Sequence, residues 1–151
     1  MVLDIIAIVI SVLGVFVSIL VVRWQLMQDR RLNTLNLENE YFRQAFINCM
    51  LVDLPNARAH ISITKKGDVI GKDLLKKELQ NLMRKSLFYR YNDYVFYDSL
   101  CENIQILEDY LVNLMHSENK EHTYNEIDAY MEDIFQCLSN KYKGLQSNND
   151  V

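Results

Sequence analysis

The three histidines are the side chains best suited to acid–base chemistry or metal binding, and they lie far apart. None of His60, His116 and His122 has another His or Cys three or four residues away, the spacing that places two ligands on one helical face. The sequence also lacks a glycine-rich phosphate loop and the turn that presents a serine or cysteine nucleophile. It therefore predicts no metal site, no cofactor and no catalytic residue.

One polar pair could still carry chemistry. Arg58 and His60 in "PNARAH" could serve as a general acid and base, with His122 as the alternative histidine. The simpler interpretation is an exposed polar helix face, because nothing else in the neighbouring sequence completes a catalytic group.

The densest aromatic run is "FYRYNDYVFY", residues 88 to 97, with Arg90 inside it. Aromatic rings beside an arginine can stack on bases or on a flat ligand. More often they form a core or a subunit contact, because a tyrosine buries a large area and keeps a polar tip. We expect Tyr91, Tyr94, Phe96 and Tyr97 to lie at a subunit interface or in the core.

Charge and cysteine content narrow the class of protein. The net charge is -4, with a pI of about 5.3, whereas nucleic-acid binders usually carry a basic surface. We expect no direct nucleic-acid partner. Cys49, Cys101 and Cys137 are odd in number and widely spaced, so they predict buried thiols in a reducing compartment, not a disulfide framework.

The N-terminal segment is the most apolar part of the chain. No charge occurs between Ile5 and Val22, a run long enough to span a hydrocarbon layer of about 30 Å. A cleaved signal peptide is the alternative, but the segment lacks a basic start and a small-residue cleavage site. The pattern predicts a transmembrane anchor over residues 1–23. The arginines that follow predict a single-pass inner-membrane protein with a cytoplasmic C-terminal domain.

Small and polar residues within this segment share one helical face. Ala7, Ser11, Gly14 and Ser18 fall within an arc of about 60° when each residue advances by roughly 100°, and Gln25 extends the stripe. Small residues mark places where helix backbones approach closely. The stripe indicates either a helix-packing face or the lining of a pore.

The remaining sequence predicts an all-α helical bundle over residues 24–144, followed by a flexible tail over 145–151. The first helix should continue beyond the apolar segment, and a short helix should run from Pro55 to about Thr64. Leucines spaced three and four residues apart predict a helix over about 72–90.

Two more helices should complete the bundle. One is capped by Asn92, and the other begins with a capping box of Thr123 and Glu126 and stops at Gly144. Their apolar seams consist of Leu100, Ile104, Leu107, Leu111 and Leu114 in the first, and Ile127, Met131, Ile134 and Leu138 in the second.

A small helical bundle of this length is similar to the HEPN fold, whose nuclease members carry an Arg and a His separated by four to six residues. No arginine stands five to seven positions before any of the three histidines. An HEPN-like bundle would therefore have lost this motif, which argues against ribonuclease activity.

The whole layout resembles the membrane accessory proteins of type VI-B CRISPR systems, in which one N-terminal span precedes a divergent HEPN-like bundle. The resemblance implies a ring of more than two identical subunits, in contact with membrane lipid, that forms a pore-like effector. It also implies a functional link to an RNA-guided CRISPR ribonuclease, whose antiviral defence the effector would enhance by perturbing membrane integrity. The alternatives are a membrane-tethered HEPN-type ribonuclease and a membrane adaptor that recruits a cytoplasmic partner.

Overall fold

A computed structural model describes residues 2–147, with the side chains of the first helix from Leu13 onwards. The fold is mostly helical, which confirms the predicted all-α class. Its elements in chain order are α1 (Val2–Phe42), two π-helical segments (Arg43–Ile47 and Cys49–Asp53), α2 (Leu54–Ala59), β1 (Ser62–Ile63), β2 (Val69–Ile70), α3 (Lys72–Ser86), α4 (Tyr89–Asn92), α5 (Tyr94–Asn113) and α6 (Lys120–Ser147).

The chain divides into two compact units, Met1–Glu38 and Asn39–Val151. The first unit consists of the N-terminal part of α1. The second holds the end of α1 and every later element. The domain bounds predicted from the sequence, 1–23, 24–144 and 145–151, stay predictions.

The predicted membrane span is not borne out. In the part of the chain that the structure describes, no helix is both long enough and apolar enough to cross a membrane. The prediction of a single-pass inner-membrane protein with a cytoplasmic C-terminal domain is therefore wrong.

After Phe42 the helix continues in π-helical form. The amide of Leu54 donates to the carbonyl oxygen of Cys49, five residues earlier, which is the π-helical bond. This wider turn keeps Cys49 and Leu54 in the same core, with 0% and 1% of their surfaces exposed. In an α-helix a separation of five residues would place them on different faces.

The predicted helix from Pro55 to Thr64 is only partly present. Pro55 lies in the first turn of α2, directly after the second π-helical segment. However, α2 ends at Ala59, and Ser62–Ile63 pairs antiparallel with Val69–Ile70. Gly67 and Gly71, with φ angles of 93° and 83°, allow the tight turns that flank β2.

The region predicted as one helix over 72–90 contains α3 and the single-turn α4. The residue that caps α5 is Asp93 and not Asn92, because the Asp93 carboxylate accepts the Phe96 amide at 3.1 Å. Asp93 has φ -148° and ψ 80°, the non-helical backbone of an N-cap. Asn92 instead forms the last residue of α4.

The predicted start and stop of the last helix also differ from the structure. Asn119 caps α6, because its side-chain oxygen accepts the His122 amide at 3.2 Å. Thr123 is buried, and its hydroxyl lies 2.6 Å from that of Ser117. The helix passes through Gly144 to Ser147, with Leu145 buried, and residues 148–151 of the predicted tail lie outside the described residues.

The core of the second unit centres on α5. This helix packs against α6 and α3, and α3 also packs against α2. The two predicted seams are confirmed as buried. Beside them, Phe42, Phe46, Tyr89 and Phe96 form a cluster of stacked and edge-to-face rings, which holds the end of α1 against α4 and α5.

Candidate interaction surface

The surface that most needs a partner is the apolar part of α1. Every large apolar side chain between Leu13 and Val22 is between 46% and 66% exposed. Trp24, Leu26 and Met27 continue the series at 65%, 54% and 73%. Exposed apolar patches of this extent are unusual on monomers and mark binding surfaces.

The apolar side chains surround most of the helix. At roughly 100° per residue, the large apolar residues between Leu13 and Val22 cover an arc of about 260°. The remaining arc of about 100° holds Gly14 and Ser18. A helix that is apolar on nearly all sides is normally buried on nearly all sides.

Two seams with heptad spacing lie within this surface. The first seam contains Leu13, Val17, Leu20, Trp24 and Met27, and the second contains Val15, Ile19, Val22 and Leu26. Alternating steps of four and three residues are the spacing of helices that pack side by side. The centres of the two seams lie about 150° apart, so α1 offers contact faces on roughly opposite sides.

The structure describes only part of the predicted small-residue stripe. Ala7 and Ser11 lie outside the residues whose side chains are described. A Cβ atom added at Gly14 would meet nothing within 4 Å, and the Ser18 hydroxyl donates to the Gly14 carbonyl oxygen at 2.8 Å. Gln25 is exposed. Whether this stripe packs against a helix or lines a pore stays a prediction.

The aromatic run divides between core and surface. Phe96 is 8% exposed and belongs to the core, and Tyr97 packs against it. Tyr91 and Tyr94 are 86% and 61% exposed, and the Tyr94 hydroxyl donates to the Asp98 carboxylate at 3.3 Å. Phe96 and Tyr97 belong to the core of the second unit or pack against it. Of the four residues, Tyr91 and Tyr94 are therefore the two for which the subunit contact stays a prediction.

Arg58 in α2 forms an ion pair with Asp128 in α6. Its Nε and Nη2 atoms donate to the two carboxylate oxygens of Asp128 at 2.6 and 3.0 Å. Its guanidinium also lies 4.8 Å from the ring centroid of Tyr124, and the Tyr124 hydroxyl accepts the Ile63 amide at 3.1 Å. A two-pronged ion pair stacked on a ring holds Arg58 in place, so the guanidinium serves the bundle's own packing.

The histidines do not join Arg58 in a common site. The His60 ring contacts the carbonyl oxygen of Asn56 in its own helix at 2.7 Å. His116 lies 3.9 Å from Asp68, and His122 lies 3.7 Å from Glu126. Within the described residues, no group of three or more His, Cys, Asp or Glu side chains could hold a metal ion.

Burial raises the pKa of a cysteine and a tyrosine in the second unit. Desolvation raises the pKa of the Cys49 thiol to about 11, so its thiolate is scarce at neutral pH. Burial, with a hydrogen bond of 2.6 Å from the Tyr110 hydroxyl to Glu126, raises the pKa of Tyr110 to about 12. Neither group is tuned to exchange protons near pH 7.

Sequence reasoning missed the ion pair between Lys141 and Asp93. The Lys141 ammonium donates to the Asp93 carboxylate at 2.9 Å and lies 4.9 Å from the ring centroid of Tyr89. The two residues are 48 positions apart, so no helical spacing signals the pair.

Comparison of the chain with protein-family models, curated proteins and solved structures finds no match.

Proposed function

We propose that this protein is a self-assembling helical protein whose α1 helices associate, so that several copies of the second unit are displayed together. The observation that carries the proposal is the exposed apolar surface of α1 from Leu13 to Met27. Burial of each large apolar side chain contributes about 1.5–3 kcal/mol, so identical helices that cover one another gain considerable stability. The helix surface supports assembly, and none of the described polar groups supports catalysis.

The placement of the two seams supports assemblies of more than two copies. A two-helix contact covers a stripe of about 100°, which would leave more than half of the apolar arc exposed. With seams on roughly opposite sides, each helix can pack between two neighbours, and the Gly14 and Ser18 face allows close backbone approach.

The test uses one double substitution in each seam of the full chain. Leu20→Asn with Met27→Asn alters the first seam, and Ile19→Asn with Leu26→Asn alters the second. Sedimentation velocity should show more than two copies for the wild type and at most dimers for either variant. The four changes together should give monomers, because each removed contact weakens association by more than tenfold.

The matched control changes polar residues on the same helix, Gln28→Ala with Asn33→Ala, and should leave the assembly unchanged. A wild-type chain that stays monomeric at tens of micromolar overturns the proposal. So does a chain that is monomeric in solution and associates only with added lipid vesicles, since lipid would then be what covers α1.

A ribonuclease is the weaker candidate. Its catalytic use of Arg58 would require breaking the pair with Asp128, and the structure gives His60 no catalytic partner. The HEPN-like arrangement of the bundle and the antiviral role linked to an RNA-guided CRISPR ribonuclease stay predictions that rest on the resemblance. Self-assembly is the part of that prediction that the surface of α1 supports.

A further inference from the structure

The second unit carries its charges unevenly along the chain. Between Lys65 and Arg90, eight Lys and Arg residues accompany three Asp and Glu residues. Between Asp93 and Ser147, eleven acidic residues accompany three basic ones. The α3 region is therefore strongly basic and the α5–α6 region strongly acidic, although the whole chain has a net charge of only -4.

The fold separates the two groups of charge in space. α5 packs against α3 and also against α6, and α3 and α6 are not among the described pairs of elements that pack extensively on each other. The basic helix α3 and the acidic helix α6 consequently flank α5. We call Lys76, Lys77, Arg84 and Lys85 the basic surface, and Glu121, Glu132 and Asp133 the acidic surface.

Two charged side chains of each surface lie on the side of their helix that faces away from the core. On α3 the buried side is formed by Leu75, Leu79 and Leu82, and Lys77 and Arg84 lie on the opposite side and are exposed. On α6 the buried side includes Met131 and Ile134, so the exposed Glu132 and Asp133 face outwards.

These charged side chains form no ion pair with one another or with other residues in the described part of the chain. The ion pairs found there join Arg58 to Asp128, His116 to Asp68, His122 to Glu126 and Lys141 to Asp93. None of them uses a residue of the basic or the acidic surface. Arg84 is hydrogen-bonded to Asn81, and Glu132 accepts a hydrogen bond from Gln136, so the hydrogen-bond partner of each is a neutral amide.

We propose that the basic surface on α3 of one copy docks against the acidic surface on α6 of a second copy. The occupant follows from charge complementarity, because each surface presents the sign that the other one lacks. Such a contact joins two different surfaces. When two copies are joined in this way, the basic surface of one copy and the acidic surface of the other remain free to bind further copies. It can therefore repeat from copy to copy, as an assembly of more than two chains requires.

The inference rests on the proposed function, since it assigns the orientation of neighbouring copies that α1 brings together. Exposed ion pairs contribute only about 0.2–1 kcal/mol each. The charges would thus select which surfaces meet, while the apolar seams supply most of the affinity. Screening should be strong, because the Debye length falls from about 10 Å at 0.1 M salt to about 3 Å at 1 M.

A charge-swap experiment on the full chain tests the contact. Lys77→Glu with Arg84→Glu makes the first surface acidic, and Glu132→Lys with Asp133→Lys makes the second surface basic. Each double variant should lower the association constant by about tenfold at low salt, since two attractive pairs become repulsive. The chain with all four changes, and an equimolar mixture of the two double variants, should each recover wild-type association.

For comparison, Gln80→Glu on α3 and Asn140→Lys on α6 each introduce a single charge of the opposite sign at an exposed position on the same helical face as the surface. They should have a smaller effect than the double variants. Double variants that associate like the wild type overturn the inference, and so does a four-change chain that fails to recover. A loss of RNA binding by Lys77→Glu with Arg84→Glu, with association unchanged, would instead make the basic surface a nucleic-acid site.

The two proposals can fail separately. If the α1 variants dissociate and the charge variants do not change, self-assembly stands and the docking of α3 on α6 is wrong. If the charge swap behaves as expected and the α1 variants remain assembled, the docking stands and the role of α1 is wrong.

Discussion

At the scale of single residues, Gly71 has the most demanding backbone position. Its φ angle is 83°, and a Cβ atom there would overlap the carbonyl oxygen of His60. Gly71→Ala should therefore lower the free energy of unfolding by about 1–3 kcal/mol. Urea denaturation of the variant and the wild type measures the difference.

Gly144 provides the matched control. It lies inside α6, and nothing stands within 4 Å of an added Cβ atom, so Gly144→Ala should raise the free energy of unfolding by about 1 kcal/mol. Equal effects of the two substitutions would contradict the role assigned to the Gly71 backbone.

Asp93 should make stability depend on pH. Burial opposes its ionisation, but hydrogen bonds from Lys141 and the Phe96 amide outweigh it and hold the pKa below 3.8. Because the folded-state pKa is depressed, the stabilisation is present above about pH 4 and is lost as the pH falls through the folded pKa. The difference in unfolding free energy between wild type and Asp93→Asn should therefore be constant from about pH 7 to about pH 4 and shrink below about pH 4.

The choice of substitution separates two roles of Asp93. Asparagine still caps a helix, whereas alanine does not, so Asp93→Ala should cost about 1 kcal/mol more than Asp93→Asn. A pH-independent difference between wild type and Asp93→Asn would refute the contribution of the charge.

At the scale of elements, the second π-helical segment holds one residue more than the core requires. Cys49 and Leu54 are buried five residues apart, whereas Leu51 between them is 72% exposed. Deleting Leu51 would leave a separation of four residues, which an α-helix places on one face. The variant should keep its cooperative unfolding, with a midpoint temperature within a few degrees of the wild type.

The control is deletion of Gln80, an exposed residue in the middle of α3. There the loss of one residue rotates the rest of the helix by about 100°, which moves Leu82 out of the core. This variant should lose cooperative thermal unfolding, as followed by circular dichroism. Equal damage from both deletions would refute the interpretation of the π-helical segment.

The helix ends show what local pattern can and cannot predict. The seams on α5 and α6 followed from spacing alone, because burial on one face imposes that spacing. The helix caps could not be predicted from spacing. Asn92 and Asp93 both belong to residue types that favour N-caps, and Asp93 is the cap because the chain leaves the helical conformation at this residue, after α4. Similarly, Thr123 fits a capping box in the sequence, but its hydroxyl forms a hydrogen bond with the Ser117 hydroxyl.

At the scale of the whole molecule, the all-α class could be predicted from composition and periodicity, but the long-range contacts could not. Arg58 and Asp128 are 70 positions apart, so their pairing depends on how α2 meets α6. Because the sequence does not show this pairing, Arg58 was interpreted there as a residue that could take part in catalysis. The apolar α1 was evident in the sequence, but its interpretation as a membrane span was wrong.

The position of Trp24 has a practical consequence for spectroscopy. It is the only tryptophan in the chain and lies on the first unit, 65% exposed. All nine tyrosines lie from Tyr41 onwards, in the second unit. Each unit thus carries its own chromophore, and selective excitation of the indole gives an optical signal from α1 alone, without any label.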